Sequence, residues 1–88
     1  MLYYVYILKS LKDGTYYKGV SEDYRARFAA HNRGESTYTS SHIPWELIYV
    51  EEHTTKKEAL IREKKLKRCK ADYFEWLRSQ PSRKISRK

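Results

Sequence analysis

The sequence predicts an α/β (α+β) fold, a small three-stranded antiparallel sheet flanked by helices in the order β-β-α-β-α-α. Three observations carry that expectation. Two runs rich in aromatic and β-branched residues, LYYVYILK from Leu2 and TYYKGV from Thr15, flank an Asp13-Gly14 turn and read as a hairpin. A third run of that kind, WELIYVEE from Trp45, follows a polar loop. The stretches between and after them carry helix caps and helical spacing.

Strand one is apolar on both faces, Tyr3, Val5 and Ile7 alternating with Tyr4, Tyr6 and Leu8, so it is expected at the centre of the sheet with both sides covered. Pairing across the hairpin loop sets Leu8 beside Tyr17 and Tyr6 beside Gly19, which puts Tyr6 and Tyr17 on one face. Ser21 is the expected cap of a first helix over 22–32, ended by Gly34. At about 100° per residue, Tyr24, Phe28, His31 and Arg27 share the stripe of that helix that faces the sheet. Residues 34–44, rich in turn formers, are expected to be loop.

Thr55 and Glu58 form a capping box for a helix over 56–70. Glu63 falls inside the apolar arc of Ala59 and Leu66, whereas Lys57, Lys64, Lys65 and Arg68 form a basic ridge outside it. A shorter helix over 71–79 offers Tyr73, Phe74, Trp76 and Leu77, and Pro81 ends it. Residues 1–79 are therefore expected to form one domain, and residues 80–88 a basic, disordered tail.

Composition narrows the function classes. Eighty-eight residues make a single domain, and no apolar run approaches the roughly 18 residues of a membrane span. The start at Met1 lacks the pattern of a signal peptide, and Cys69, the one cysteine, has no internal disulfide partner, so a reducing, cytoplasmic setting is expected. Residues 1–55 hold six basic and seven acidic side chains, whereas residues 56–88 hold thirteen and four. Basicity confined to one third of the chain is the footprint of a polyphosphate partner, although a solvated helix face would carry the same pattern.

Five residues expected to face the sheet surface are more polar than packing requires: Tyr6, Tyr17, Arg27, His31 and Glu63. Together they suit phosphodiester chemistry. Arg offers a planar fork to phosphate oxygens, His moves protons near neutral pH, and one carboxylate with water and substrate oxygens is a typical Mg²⁺ holder. A phenol is a poor base at its ordinary pKa of about 10 and needs a cation nearby, for which Arg27, Lys18 or a metal are candidates. Taken singly, each has a structural reading too: Arg27 and His31 as a surface pair, Glu63 as the partner of Arg27. Tyr3, Tyr4, Tyr16, Tyr38, Tyr49 and Tyr73 are expected to fill the sheet and helix surfaces, and His42 and His53 to be loop residues.

The ordered set Tyr4-Val5-Tyr6, Tyr17-Lys18-Gly19, Arg27 and His31 on a helix, and Glu63 on a helix after a third strand resembles the GIY-YIG nuclease domain over residues 2–78. The DGTYYKG turn, HNRG, PWELIY and EALIREKKLK segments support it, and the likeness is greatest to small standalone bacterial members. The resemblance implies a single-metal endonuclease site. It makes Tyr6 and Tyr17 the two tyrosines of the family, Arg27 the phosphate-stabilising arginine, His31 the following histidine and Glu63 the holder of Mg²⁺ or Mn²⁺. Two motif positions depart: Tyr4 stands for a glycine and Lys18 for an isoleucine, and no asparagine follows Asn32.

The function expected is metal-dependent hydrolysis of a nucleic-acid phosphodiester, with DNA the favoured polymer and a cytoplasmic, nucleoid-associated setting. In that scheme Tyr6 or Tyr17, with Tyr6 preferred, takes the proton of the attacking water while the other bonds water or phosphate, His31 relays the proton and Arg27 stabilises transition-state charge. Lys18, Lys57, Lys64, Lys65 and Arg68 are the expected nucleic-acid contacts. The alternative is a nucleic-acid-binding module that cleaves poorly and acts with a protein partner; membrane docking is the weakest class because the apolar arc of the long helix is committed to the core.

Overall fold

The computed structural model describes residues 1–80, so the tail expected over 80–88 lies outside the described residues from 81 onward. Strands β1 (Tyr3–Ser10) and β2 (Tyr16–Ser21) form the hairpin, followed by α1 (Tyr24–Asn32), a single-turn helix α2 (Thr37–Ser40), β3 (Trp45–His53), α3 (Lys56–Leu66) and α4 (Ala71–Arg78). The sheet is antiparallel in the order β2-β1-β3, with β1 in the centre as its two apolar faces require. Tyr6 pairs with Gly19 and Leu8 with Tyr17, the register that the hairpin loop sets.

Two cores follow from the alternation along β1. Val5 and Ile7 pack with Ile48, Tyr49, Ala59, Leu66, Phe74 and Leu77 beneath α3 and α4. Tyr6 and Leu8 point the other way and pack with Tyr24, Trp45 and Val50 under α1. Burying side chains of this size stabilises the fold by about 1.5–3 kcal/mol each. The β1–β3 register shifts between Ile7 and Leu8, where Ile7 pairs with Tyr49 but Leu8 with Leu47. The extra residue, Ile48, lets Ile48 and Tyr49 both enter the α3/α4 core while Trp45 and Leu47 return to the α1 side.

Three local expectations are corrected. The cap of α1 is Asp23, whose Oδ1 accepts from the Ala26 amide at 3.1 Å; the Ser21 hydroxyl instead accepts from the Asp23 amide at 2.9 Å, so Ser21 sets the turn and Asp23 the helix. The 34–44 segment contains α2, a turn too short to show a period in sequence. Helix α3 ends at Leu66, four residues early, and Lys67 closes it. Its start is as expected, with the Thr55 hydroxyl accepting from the Glu58 amide at 3.1 Å.

The loop between α2 and β3 is tied to the hairpin turn. Ser10 donates through its hydroxyl to the His42 carbonyl at 2.7 Å, the Leu11 amide donates to the Pro44 carbonyl at 2.8 Å, and His42 Nδ1 lies 2.6 Å from Asp13 Oδ2. Gly14, at φ 79°, takes the left-handed conformation that this turn needs. These ties hold α2, and with it Thr39, against the open end of the α1 layer.

Candidate active site

The polar residues meet where α1 and α2 cover the β1–β2 half of the sheet. Tyr6, in the middle of the central strand, is fully buried, and its ring crosses β2 at Gly19, where a Cβ would overlap the phenol oxygen. Glycine at that position is therefore a packing requirement of Tyr6. The Tyr6 hydroxyl lies 3.1 Å from His31 Nε2, and His31 Nδ1 lies 2.9 Å from Thr39 Oγ1. His31 and Thr39 are buried as well. With Thr39 accepting from Nδ1–H, Nε2 turns a lone pair towards the phenol; in the other tautomer Nε2–H donates to it.

Tyr17 is the more accessible phenol. It is partly exposed, and its ring packs 4.8 Å from the His31 ring, 6.3 Å from Tyr6 and 6.2 Å from Tyr38. Trp45 supports it from below at 6.3 Å and donates from its indole nitrogen to the Thr39 carbonyl at 3.0 Å. Arg27 and His31, one turn apart on α1, line a recess of about 230 Å³ together with Ala30, Glu35 and Ser36.

Electrostatics separates the roles. Burial, then Tyr17 and Glu63, push the Tyr6 phenol up to about 12, and the nearby Arg27 guanidinium offsets only part of this. Burial, reinforced by Arg27, holds His31 below the ordinary histidine value, so it is neutral at pH 7. Arg27 on α1 and Glu63 on α3 thus act in opposite directions on the Tyr6 phenol. Glu63 is largely covered, its side chain 19% exposed, and its nearest cation is Lys67 Nζ at 3.6 Å.

Several expectations shift here. Arg27 is exposed at the rim of the α1 stripe, where its long stem carries the charge to solvent, and among the described residues it makes no ion pair, so it is not the partner of Glu63. Lys18 pairs with Ile7 and so sits on the opposite sheet face, its Nζ 5.0 Å from the Phe74 ring centre, with burial and then Lys67 lowering its pKa. It faces away from the recess. Tyr6, expected to meet water, is shut off from it. Lys65 on α3 and Arg68 just after it are exposed, while Lys57 and Lys64 border an apolar groove. His53 ends β3, with Nε2 buried 3.7 Å from Glu51. Thr39, Tyr38 and Trp45 were not singled out as site residues; a loop threonine gives no periodic signal that it will meet a histidine eight residues back.

Among the described residues no three His, Cys, Asp or Glu side chains cluster. The chemistry of the donor nevertheless fits a hard cation: Glu63 offers one sheltered carboxylate, whose negative charge helps to push the Tyr6 phenol up.

Comparison with known proteins matches the model of the GIY-YIG catalytic domain to residues 2–76. A UPF0213 protein of Staphylococcus epidermidis is 46% identical over 66 residues, covering 74% of this chain and 79% of that one. A UPF0213 protein of Streptococcus pneumoniae is 43% identical over 68 residues, 76% of this chain and 68% of its own. Among solved structures, the solution NMR structure of a UPF0213 protein from Bacillus halodurans matches with a TM-score of 0.53 at 33% identity, over 88% of this chain and 82% of that one.

Proposed function

Since the chain belongs to the GIY-YIG catalytic-domain family, a nuclease family, we propose that it is an endonuclease that hydrolyses nucleic-acid phosphodiesters with a single divalent metal, DNA being the favoured polymer. The observation that carries this reading is the cluster built on His31, which bonds to the Tyr6 hydroxyl, packs against the Tyr17 ring and lines one recess with Arg27; Glu63 adds its negative charge to the field at Tyr6. A purely structural set would bring Arg27 and Glu63 together as a salt bridge, and the near partner of Glu63 is Lys67 instead.

Burial of Tyr6 favours Tyr17 as the base. A phenol raised to about 12 and closed to solvent holds its proton at neutral pH, whereas the Tyr17 phenol is partly exposed and open to water. Tyr17 takes the proton of the attacking water. Tyr6, His31 and Thr39 form the hydrogen-bonded polar wall against which Tyr17 packs. Arg27, free of carboxylate partners among the described residues, forks onto a non-bridging phosphate oxygen and stabilises the charge that builds on it.

Glu63 would hold the metal, Mg²⁺ or Mn²⁺, whose Lewis acidity polarises the phosphodiester and makes phenolate less costly to form. The other cations supply affinity without sequence readout: Lys65 on α3 and Arg68 just beyond it are exposed for phosphate contact.

The test is incubation with duplex, single-stranded, flapped and junction DNA and with RNA, in Mg²⁺, Mn²⁺ or EDTA. Cleavage of at least one polymer that EDTA abolishes supports the proposal. Binding without cleavage under every metal condition would leave the alternative, a nucleic-acid-binding module that acts with a partner.

A further inference from the structure

The outer surface of α3 departs from a solvated helix face. Its inner side is spent on Ala59 and Leu66, which are fully buried. A polar residue would cost least at each remaining position, yet Leu60 and Ile61 stand 45% and 49% exposed, and Ile is a poorer helix former than Lys or Glu. These two lie between Lys56, Lys57 and Lys64, and the five residues line one groove along the helix. Residues 56, 60 and 64 form one ridge at i, i+4 spacing, with 57 and 61 beside it, a surface into which a second helix packs.

We propose that this groove docks an acidic amphipathic helix of a partner protein, with Leu-type side chains seated on Leu60 and Ile61 and carboxylates ringing them against Lys56, Lys57 and Lys64. This goes beyond the nuclease reading and does not depend on it. Charge selects the occupant. A second copy of this chain docking through the same face would set lysine against lysine, because a two-fold interface brings a patch onto itself. The chain's own C-terminal segment, with Arg83, Lys84, Arg87 and Lys88, repels it for the same reason. A nucleic acid would satisfy the lysines but leave the aliphatic pair against a polar backbone, and two half-exposed side chains are too little apolar surface to hold a helix in a lipid interface. An acidic amphipathic helix satisfies both parts, in the manner of helix-in-groove recognition.

The full chain would be titrated with a fluorescent synthetic amphipathic helix of about 16 residues, Glu on its polar face and Leu at i, i+3, i+4 and i+7, at physiological ionic strength. Anisotropy gives affinity and amide resonances map the site. Saturable binding is expected, with shifts centred on residues 56–64. Leu60→Gln/Ile61→Gln should weaken it by about tenfold or more at unchanged melting temperature. Lys57→Glu/Lys64→Glu, which leaves the aliphatic pair in place, should reverse the preference towards the same peptide with Lys for Glu, and this arm stands whether or not the aliphatic variant folds. Parallel titrations use duplex DNA and phosphatidylserine vesicles. Absence of peptide binding, shifts elsewhere on the chain, no reversal by the charge variant, or loss of DNA or vesicle binding in the aliphatic variant while peptide binding persists would each overturn the proposal.

Discussion

At the scale of single residues, two tyrosines that look alike in sequence are divided by their strands. Tyr6 occupies the central strand and is sealed by α1 and by its passage over Gly19; Tyr17 occupies the edge strand and keeps a face towards solvent. Tyr17→Phe is expected to lower cleavage by about 10²-fold or more with little change in melting temperature, since only the accessible hydroxyl is removed. Tyr6→Phe should act first on stability, because it strands a buried His31 nitrogen at a cost of about 1–3 kcal/mol. Comparing rate and melting temperature for the pair checks the assignment; a Tyr17→Phe protein that cuts at the parent rate would return the role to Tyr6. His31 adds a pH signature. Its folded pKa is depressed below 6.5, so the unfolded chain binds the extra proton, and stability is full above that value and falls as pH drops through it. Melting temperature measured between pH 5 and pH 7.5, values spanning the usual histidine range of about 6.5, should therefore decline on acidification in the parent and less in His31→Gln.

At the scale of elements, what was legible in sequence was what periodicity and capping encode. The hairpin register, the central place of β1 and the start of α3 rest on alternation, on the Asp-Gly turn and on Thr55, all local signals with one physical solution each. The approach of Tyr6 to His31 was legible in part, because register and helix phase put both on one side. The third member of that chain was not. Thr39 comes to His31 through a single-turn helix whose following loop is held by Ser10, Leu11 and Asp13 from the hairpin turn, a tertiary effect that no local window contains. The inward placing of Arg27 failed because a long cationic side chain at the rim of a stripe reaches solvent at lower cost than it pairs inside. The prediction at this scale concerns α2. Thr39→Val keeps the shape but removes the Nδ1 partner, so the nitrogen resonances of the His31 ring should show a changed tautomer balance, while Thr39→Ser keeps the parent pattern. Identical spectra for all three proteins would show that Thr39 does not set the tautomer.

At the scale of the whole molecule, the two layers divide the work. The α1/α2 layer holds the phenols, the neutral histidine and the free guanidinium, and the α3/α4 layer brings the carboxylate and most of the positive charge. Helix α3 combines a core stripe, the proposed metal carboxylate and a basic outer face within 11 residues. The central claim is that Glu63 serves a metal rather than the fold, and the most direct measurement is cleavage rate against Mg²⁺ concentration for the parent and Glu63→Gln, with melting temperature beside it. The account expects Glu63→Gln to fold as the parent does, to bind nucleic acid, and to lose cleavage by orders of magnitude at every Mg²⁺ concentration. A Glu63→Gln protein that cleaves as fast as the parent, or one that unfolds for want of its contact with Lys67, would contradict it.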